Sequence, residues 1–340
     1  MPQVLVTARE AAQVQERFHD VLEAAGLTPV YPSTGKPTQL TEDELLAALS
    51  GVEATVAGSE PYTARVLAAH PQLRVIGRVG VGYDAVDVAS ASARGVVVTI
   101  APGTNHGSVA EHTFALILGF TRHLPARHQA IAVGGWPRFM SLPLRGRTLG
   151  LAGLGRIGKA VAMRALAFEM QVAAYDPNPD VGFCAQHGIR LMSFPDLLAE
   201  SDFLSLHLPS TPQTRHLINR EALDRMKRDA VLVNTSRGGL VSEPDLIAAL
   251  KDRRIAGAVL DVFEQEPLPA DHPLRTLDNV VLTPHAAGVD ILSLGDMARS
   301  AAESVAALYR GEWPAEKIVN PEVRSRFCWS RSGTSGNSQV

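Results

Sequence analysis

Short runs of Val, Ile and Leu alternate along the chain with longer segments in which apolar residues recur at helical spacing. Val4-Leu5-Val6-Thr7 predicts a strand, residues 11–25 a helix closed by Gly26, and Thr55-Val56-Ala57, Val75-Ile76 and Val96-Val97-Val98-Thr99 further strands. Between them, residues 41–49 predict a helix with Thr41 as N-cap and Glu44 three residues on, the signature of a capping box. Strand and helix taking turns is βαβ rhythm, which requires a parallel sheet covered on both faces.

The rhythm breaks at Ala101-Pro102-Gly103-Thr104-Asn105, and a long helix is predicted over 108–124. After Gly134-Gly135-Trp136-Pro137 a second series begins, with strands predicted at 148–152, 171–175, 203–208, 230–234, 256–260 and 280–283. These runs are Val- and Leu-rich rather than alternating, as strands buried on both faces are. A last helix is predicted over 293–308. Residues 322–340 are rich in Ser, Gly and Arg without periodicity and predict a disordered tail. Two βαβ series in 340 residues predict two domains.

Composition narrows the function. A formal net charge of −3 with no basic block argues against a nucleic-acid partner. The two cysteines, Cys184 and Cys328, are too few for a disulfide framework and suit a reducing cytoplasm. The N-terminus reads as neither signal peptide nor anchor, and the most apolar helical stretch, 114–120, is too short to span a bilayer.

Gly153-Leu154-Gly155-Arg156-Ile157-Gly158 is a G-x-G-x-x-G run between a predicted strand and a predicted helix. Asp176 ends the next strand, at the distance a dinucleotide site requires. The glycines permit a tight turn, close approach of a pyrophosphate and close helix–strand packing, and the helix N-terminus offers N–H groups to phosphate. Asp176 would accept from the ribose hydroxyls and repel a 2′-phosphate, which favours NAD over NADP. Three further segments follow predicted strands directly: 234–239 with Arg237, 261–267 with Glu266, and 283–288 with His285. Ligands of open parallel sheets bind beyond the carboxyl ends of strands. There an Arg can clamp a carboxylate, a His can exchange a proton with a hydroxyl, and a Glu can fix the tautomer of that His. Singly, each is compatible with a plain alternative: Arg237 capping a helix, His285 satisfied in a core, Glu266 solvated in an acidic loop. Their joint placement is the argument. Glu111-His112 and His106 lack the spacing of a metal site, so no metal is expected.

These motifs, with Gly80-Val81-Gly82-Tyr83-Asp84 and Val109-Ala110-Glu111-His112, make the chain resemble the D-isomer-specific 2-hydroxyacid dehydrogenase family from about Val4 to Pro321. The resemblance implies an α/β fold of two doubly wound parallel-sheet domains, with an NAD-binding Rossmann domain (101–286) inserted into a flavodoxin-like substrate domain (1–100, completed by 287–321). The active site would lie in the cleft. It implies Arg237, Glu266 and His285 as catalytic residues, and Val81 and Gly82 as amide donors to the substrate carboxylate. Cofactor contacts are implied at Gly153, Gly155, Arg156, Ile157, Gly158, Asp176, Leu208, Pro209, Thr214, Thr235, Ser236 and Asp261, the last holding the nicotinamide amide. A homodimer joined through the NAD-binding domains is implied as well. The expected substrate is a small D-2-hydroxy acid or its 2-oxo acid, glyoxylate/hydroxypyruvate-like or phosphoglycerate-like. Glu266 stands where formate enzymes carry Gln, and Val81 where phosphite enzymes carry Lys, which disfavours both. Around Ser59-Glu60-Pro61-Tyr62 only Arg65 could meet a phosphate, so phosphoglycerate is less favoured. From another class, an NAD-sensing corepressor of the same fold is the alternative.

Overall fold

The computed structural model describes residues 1–32 and 40–329. It divides into two compact units, Met1–Asn105 with Asp290–Val340, and His106–Val289. The first unit is therefore built from both ends of the described chain.

Its sheet is wholly parallel. The strands are β1 (Gln3–Val6), β2 (Thr28–Val30), β3 (Ala54–Ala57), β4 (Val75–Arg78) and β5 (Val97–Thr99), in the order β2-β1-β3-β4-β5. Side chains alternate across it. Val4, Val6, Val56 and Val75 face one core; Leu5, Ala57, Ile76 and Val98 face the other. The chain reverses direction of travel between β1 and β3, where a doubly wound sheet opens a crevice at its carboxyl end. At that end Thr7 Oγ1 donates to Glu60 Oε2 at 2.8 Å, and Glu60 is 3% exposed.

The second unit carries β6 (Thr148–Ala152), β7 (Gln171–Tyr175), β8 (Arg190–Leu191), β9 (Phe203–Leu206), β10 (Val231–Asn234), β11 (Gly257–Leu260) and β12 (Val280–Leu282). Their order is β12-β11-β10-β9-β6-β7-β8, all parallel, which is the Rossmann winding with its reversal between β6 and β9. Leu149, Leu151, Val231, Val233 and Val259 pack on one face, and Leu204, Leu206, Leu232 and Leu260 on the other.

Local expectations differ from the structure in three places. Residues 11–25 are not one helix: a 3-10 segment Arg9–Arg17 precedes the α-helix His19–Ala24, and Val14 and Phe18 leave helical φ/ψ between them. The helix expected over 108–124 runs His106–Thr121; His123 then takes φ 52, and a separate helix Leu124–Ala132 follows. The capping box of Thr41 and Glu44 is present, with both reciprocal bonds made.

The third difference is the tail. Up to Trp329 it is not disordered but docked on the first unit; residues 330–340 lie outside the described set. Pro321–Ser325 forms a 3-10 turn, Val323 is fully buried, and Trp329 packs edge-on against Tyr309 at 5.0 Å. Trp329 Nε1 donates to Glu53 Oε2 at 2.8 Å. Several contacts anchor the segment together, Val323 and Trp329 in the core, Phe327 packed against it, and Glu322 and Arg326 on Ser92, and jointly they offset its ordering entropy. Trp329→Ala is expected to cost about 2–4 kcal/mol, read as a lowered Tm in thermal melting. An unchanged Tm would reduce the segment to a passive extension.

Candidate active site

The glycine turn follows β6 at the reversal of the second sheet. Gly153 has φ +102, and a Cβ there would lie 2.5 Å from the His207 carbonyl oxygen. At Gly158 a Cβ would lie 2.3 Å from the Gly153 carbonyl, so the helix Arg156–Ala167 can start this close to the turn only without a side chain. Around Gly155, by contrast, no heavy atom comes within 4 Å of a built Cβ. That space opens at a helix N-terminus with no side-chain cap, which fits a phosphate group. Arg156 beside it is exposed and Ile157 half-buried. Asp176, at the end of β7, accepts from Leu154 N at 2.7 Å and from Asn178 N at 2.8 Å, which places its carboxylate beside the turn. An open glycine turn flanked by a carboxylate fits a dinucleotide.

Leu208 is buried and Pro209 exposed at the start of the next loop. Thr214 closes that loop on itself, donating to the Pro209 carbonyl at 2.7 Å and accepting from Thr211 N at 2.8 Å.

Strands β10, β11 and β12 lie side by side, with Asn234 opposite Leu260 and Leu260 opposite Leu282. Their ends are therefore aligned, and the loops bearing Arg237, Glu266 and His285 leave the sheet together. Asn234 shapes the first loop: its Oδ1 accepts from Ser236 N at 3.1 Å and its Nδ2 donates to the Arg237 carbonyl at 2.8 Å. Thr235 is buried and shares a hydrogen bond with Thr113 at 3.0 Å. Gly238 presses this loop on the next, since a Cβ there would lie 1.9 Å from the Phe263 carbonyl group. Glu243 and Glu264 clamp the two loops reciprocally, each carboxylate accepting from the other's backbone N–H, at 2.8 and 3.0 Å.

Glu266 Oε1 accepts from Phe263 N at 2.9 Å, and its Oε2 lies 2.6 Å from His285 Nδ1. An ionised carboxylate only accepts, so Nδ1 carries the proton and donates. That leaves Nε2 as the ring atom for exchange, on a side chain 49% exposed. The pair is thus half-open to a ligand, not a satisfied core histidine.

Asp261, the residue implied to hold the nicotinamide amide, anchors the His285 loop. Its side chain is 0% exposed, and its oxygens accept from Ala286 N at 2.9 Å and Ala287 N at 2.8 Å.

In the first unit, the turn after β4 carries Val81 and Gly82. Arg78 Nε donates to the Gly82 carbonyl at 3.1 Å, and the Gly80 carbonyl accepts from Ala101 N at 2.9 Å. Arg65 is exposed and pairs with Asp43 at 2.8 Å and Glu42 at 3.6 Å. Among the described residues there is no cluster of three or more His, Cys, Asp or Glu fit to hold a metal, and no helix long and apolar enough to cross a membrane.

A family model described as "D-isomer specific 2-hydroxyacid dehydrogenase, NAD binding domain" matches residues 114–287. The chain is 45% identical over 271 residues to a glyoxylate reductase of Korarchaeum cryptofilum, covering 78% of this chain and 81% of that one. The chain belongs to the D-isomer-specific 2-hydroxyacid dehydrogenase family. It is also 41% identical over 313 residues to a D-3-phosphoglycerate dehydrogenase of Archaeoglobus fulgidus, but spans only 58% of that protein's length. A D-lactate dehydrogenase of Aquifex aeolicus, solved with NAD and lactic acid, superposes with a TM-score of 0.78 at 30% identity, over 94% of this chain and 99% of that one. As a 2-hydroxyacid dehydrogenase the chain is an NAD-dependent oxidoreductase with a Rossmann domain, acting on a small acid. Nothing in these relatives supports the corepressor alternative.

The sequence pointed to Arg237, Glu266 and His285 through their motifs. It passed over Asn234, which shapes the Arg237 loop from within the same motif, and His112, weighed only as a metal ligand.

Proposed function

We propose that this dehydrogenase interconverts a small, unphosphorylated D-2-hydroxy acid with its 2-oxo acid, glyoxylate or hydroxypyruvate being the pattern. The observation that carries the reading is the 2.6 Å pair of His285 Nδ1 and Glu266 on strand ends aligned with that of Arg237. His285 Nε2 gives a proton to the carbonyl oxygen as negative charge develops there, and takes it back from the hydroxyl in the reverse direction. Glu266 holds the ring in one tautomer. Arg237 binds the substrate carboxylate with its planar fork. The glycine turn, Arg156, Ile157 and Asp176 would hold NAD, which would serve as hydride donor or acceptor. Leu208, Pro209, Thr214, Thr235 and Ser236 complete its surroundings.

The choice against a phosphorylated substrate rests on the first unit. Arg65 is engaged by Asp43 and Glu42, and the charged residue of the loop after β3, Glu60, is a buried acid held by Thr7 rather than a cation. The test is loss of NADH or NADPH absorbance with glyoxylate, hydroxypyruvate, pyruvate and 3-phosphohydroxypyruvate. NADH with glyoxylate or hydroxypyruvate should give the highest kcat/KM. A preference for the phosphorylated acid would overturn the substrate reading, and an NADPH preference the role of Asp176.

A homodimer joined through the second unit is part of the proposal. The helix Leu124–Ala132 buries none of its residues, and Trp136 beyond it is 79% exposed. A second copy would cover this apolar arm, and sedimentation velocity decides it. A chain with two cysteines, Cys184 and Cys328, too few for a disulfide framework, favours a cytoplasmic setting.

A further inference from the structure

His285 sits at φ 54, a left-handed conformation that a residue with a Cβ rarely adopts. Such a conformation persists only where its surroundings over-determine it. Here the surroundings are one buried carboxylate and one helix. His285 N donates to the Asp261 carbonyl at 2.7 Å, and the next two amides donate to the Asp261 carboxylate. Thr283 Oγ1 donates to Asp261 Oδ1 at 2.6 Å. His112 completes the cluster: its Nε2 lies 3.1 Å from Thr283 Oγ1 and 3.4 Å from Asp261 Oδ1. Thr283 spends its one proton on Asp261, so the near ring nitrogen of His112 serves as donor to both oxygens. The helix His106–Thr121 that carries His112 grips the loop a second time, through Ser108 Oγ, which donates to the Ala287 carbonyl at 2.9 Å.

Burial pushes the Asp261 carboxyl up, but hydrogen bonds from His112, Thr283, Ala286 and Ala287 outweigh it and hold the group below the usual carboxylate range. The acid stays an anion and keeps its hold on the two amides. We propose that His112 is a positioning residue for the reaction: acting through Thr283 and Asp261, it fixes the left-handed turn that aims His285. It touches neither substrate nor cofactor in this role. The inference rests on the reading of His285 as the proton-exchanging group.

The test compares His112→Leu, His112→Gln, Thr283→Val and His285→Ala, with kcat referred to NADH-binding sites counted by nicotinamide fluorescence. His112→Leu should lower kcat on the order of tenfold or more, because small displacements of a reacting group are costly. KM for the 2-oxo acid and Kd for NADH should stay within about twofold, since neither ligand is held by His112. His112→Gln, which keeps an N–H donor, should recover most of the loss. Wild-type kcat in His112→Leu, or no recovery in His112→Gln, would overturn the proposal. Should His112→Leu fail to fold, Thr283→Val decides: it must show the same loss in kcat alone, and wild-type kcat there overturns the relay. Normal turnover in His285→Ala would instead sink the functional reading on which the inference stands.

Discussion

Turnover of His285→Ala is expected to fall by roughly two to four orders of magnitude, the usual span for removal of a general acid–base group. Affinity for NADH should change little, because the proposed holdfasts of the cofactor are the open turn at Gly155 and the carboxylate of Asp176 rather than His285. Reduction needs a proton given to the carbonyl oxygen and oxidation a proton taken from the hydroxyl, so both directions should lose turnover together. Glu266 lies 2.6 Å from Nδ1 and fixes the tautomer of the ring. Glu266→Gln weakens that hold, so kcat should fall in both directions while NADH affinity stays. The measurement is kcat in each direction for wild type, Glu266→Gln and His285→Ala, beside NADH binding. Unchanged kcat in Glu266→Gln would break the pair as a functional unit, whatever its geometry.

Arg237→Lys is expected to damage KM for the 2-oxo acid and kcat together, lowering kcat/KM by about tenfold to a hundredfold. Lysine keeps the charge but loses the planar fork that meets a carboxylate with two parallel bonds. The backbone around Arg237 is held by Asn234 and by Gly238 against Phe263, and the guanidinium adds a bond from Nη1 to the Ser236 carbonyl at 2.6 Å, which an ammonium can also donate. The loop should therefore survive the substitution, and a kinetic loss can be read as a loss of recognition. Steady-state kinetics beside NADH binding separates the cases. Full activity with normal NADH affinity would make Arg237 a structural residue.

Much of the fold was legible because buried parallel strands are written as contiguous Val and Leu runs. β2 and β8 were not foreseen: Thr28–Val30 carries a Pro, and Arg190–Leu191 has both residues exposed, so neither shows an apolar run. Both are edge strands, where a missing N–H and polar side chains are tolerated. The break at Val14 and Phe18 escaped because the apolar spacing continues through it; Ala11, Val14, Phe18 and Leu22 are all buried. Within the site, motif residues announced themselves by type and position after strands. Asp261 did not announce its burial, since an acid at a strand end looks the same whether it faces ligand or loop. His112 lies far from Thr283 in sequence and meets it only in the folded unit.

The first unit's dependence on both chain ends has a consequence for synthesis. Its sheet leaves the ribosome early, but Ala298, Ala301, Ala302 and Val305, which cover one face of that sheet, lie on the helix Ile291–Tyr309. Trp329 and Val323 of the same core emerge later still. The second unit, by contrast, is one continuous stretch. It can complete its own core while Val4, Val6, Val56 and Val75 still wait for their cover. During that interval the nascent chain carries an unfinished parallel sheet with apolar surface toward solvent. Chaperone demand in the cell should therefore follow the time needed to translate the stretch from His106 to Trp329.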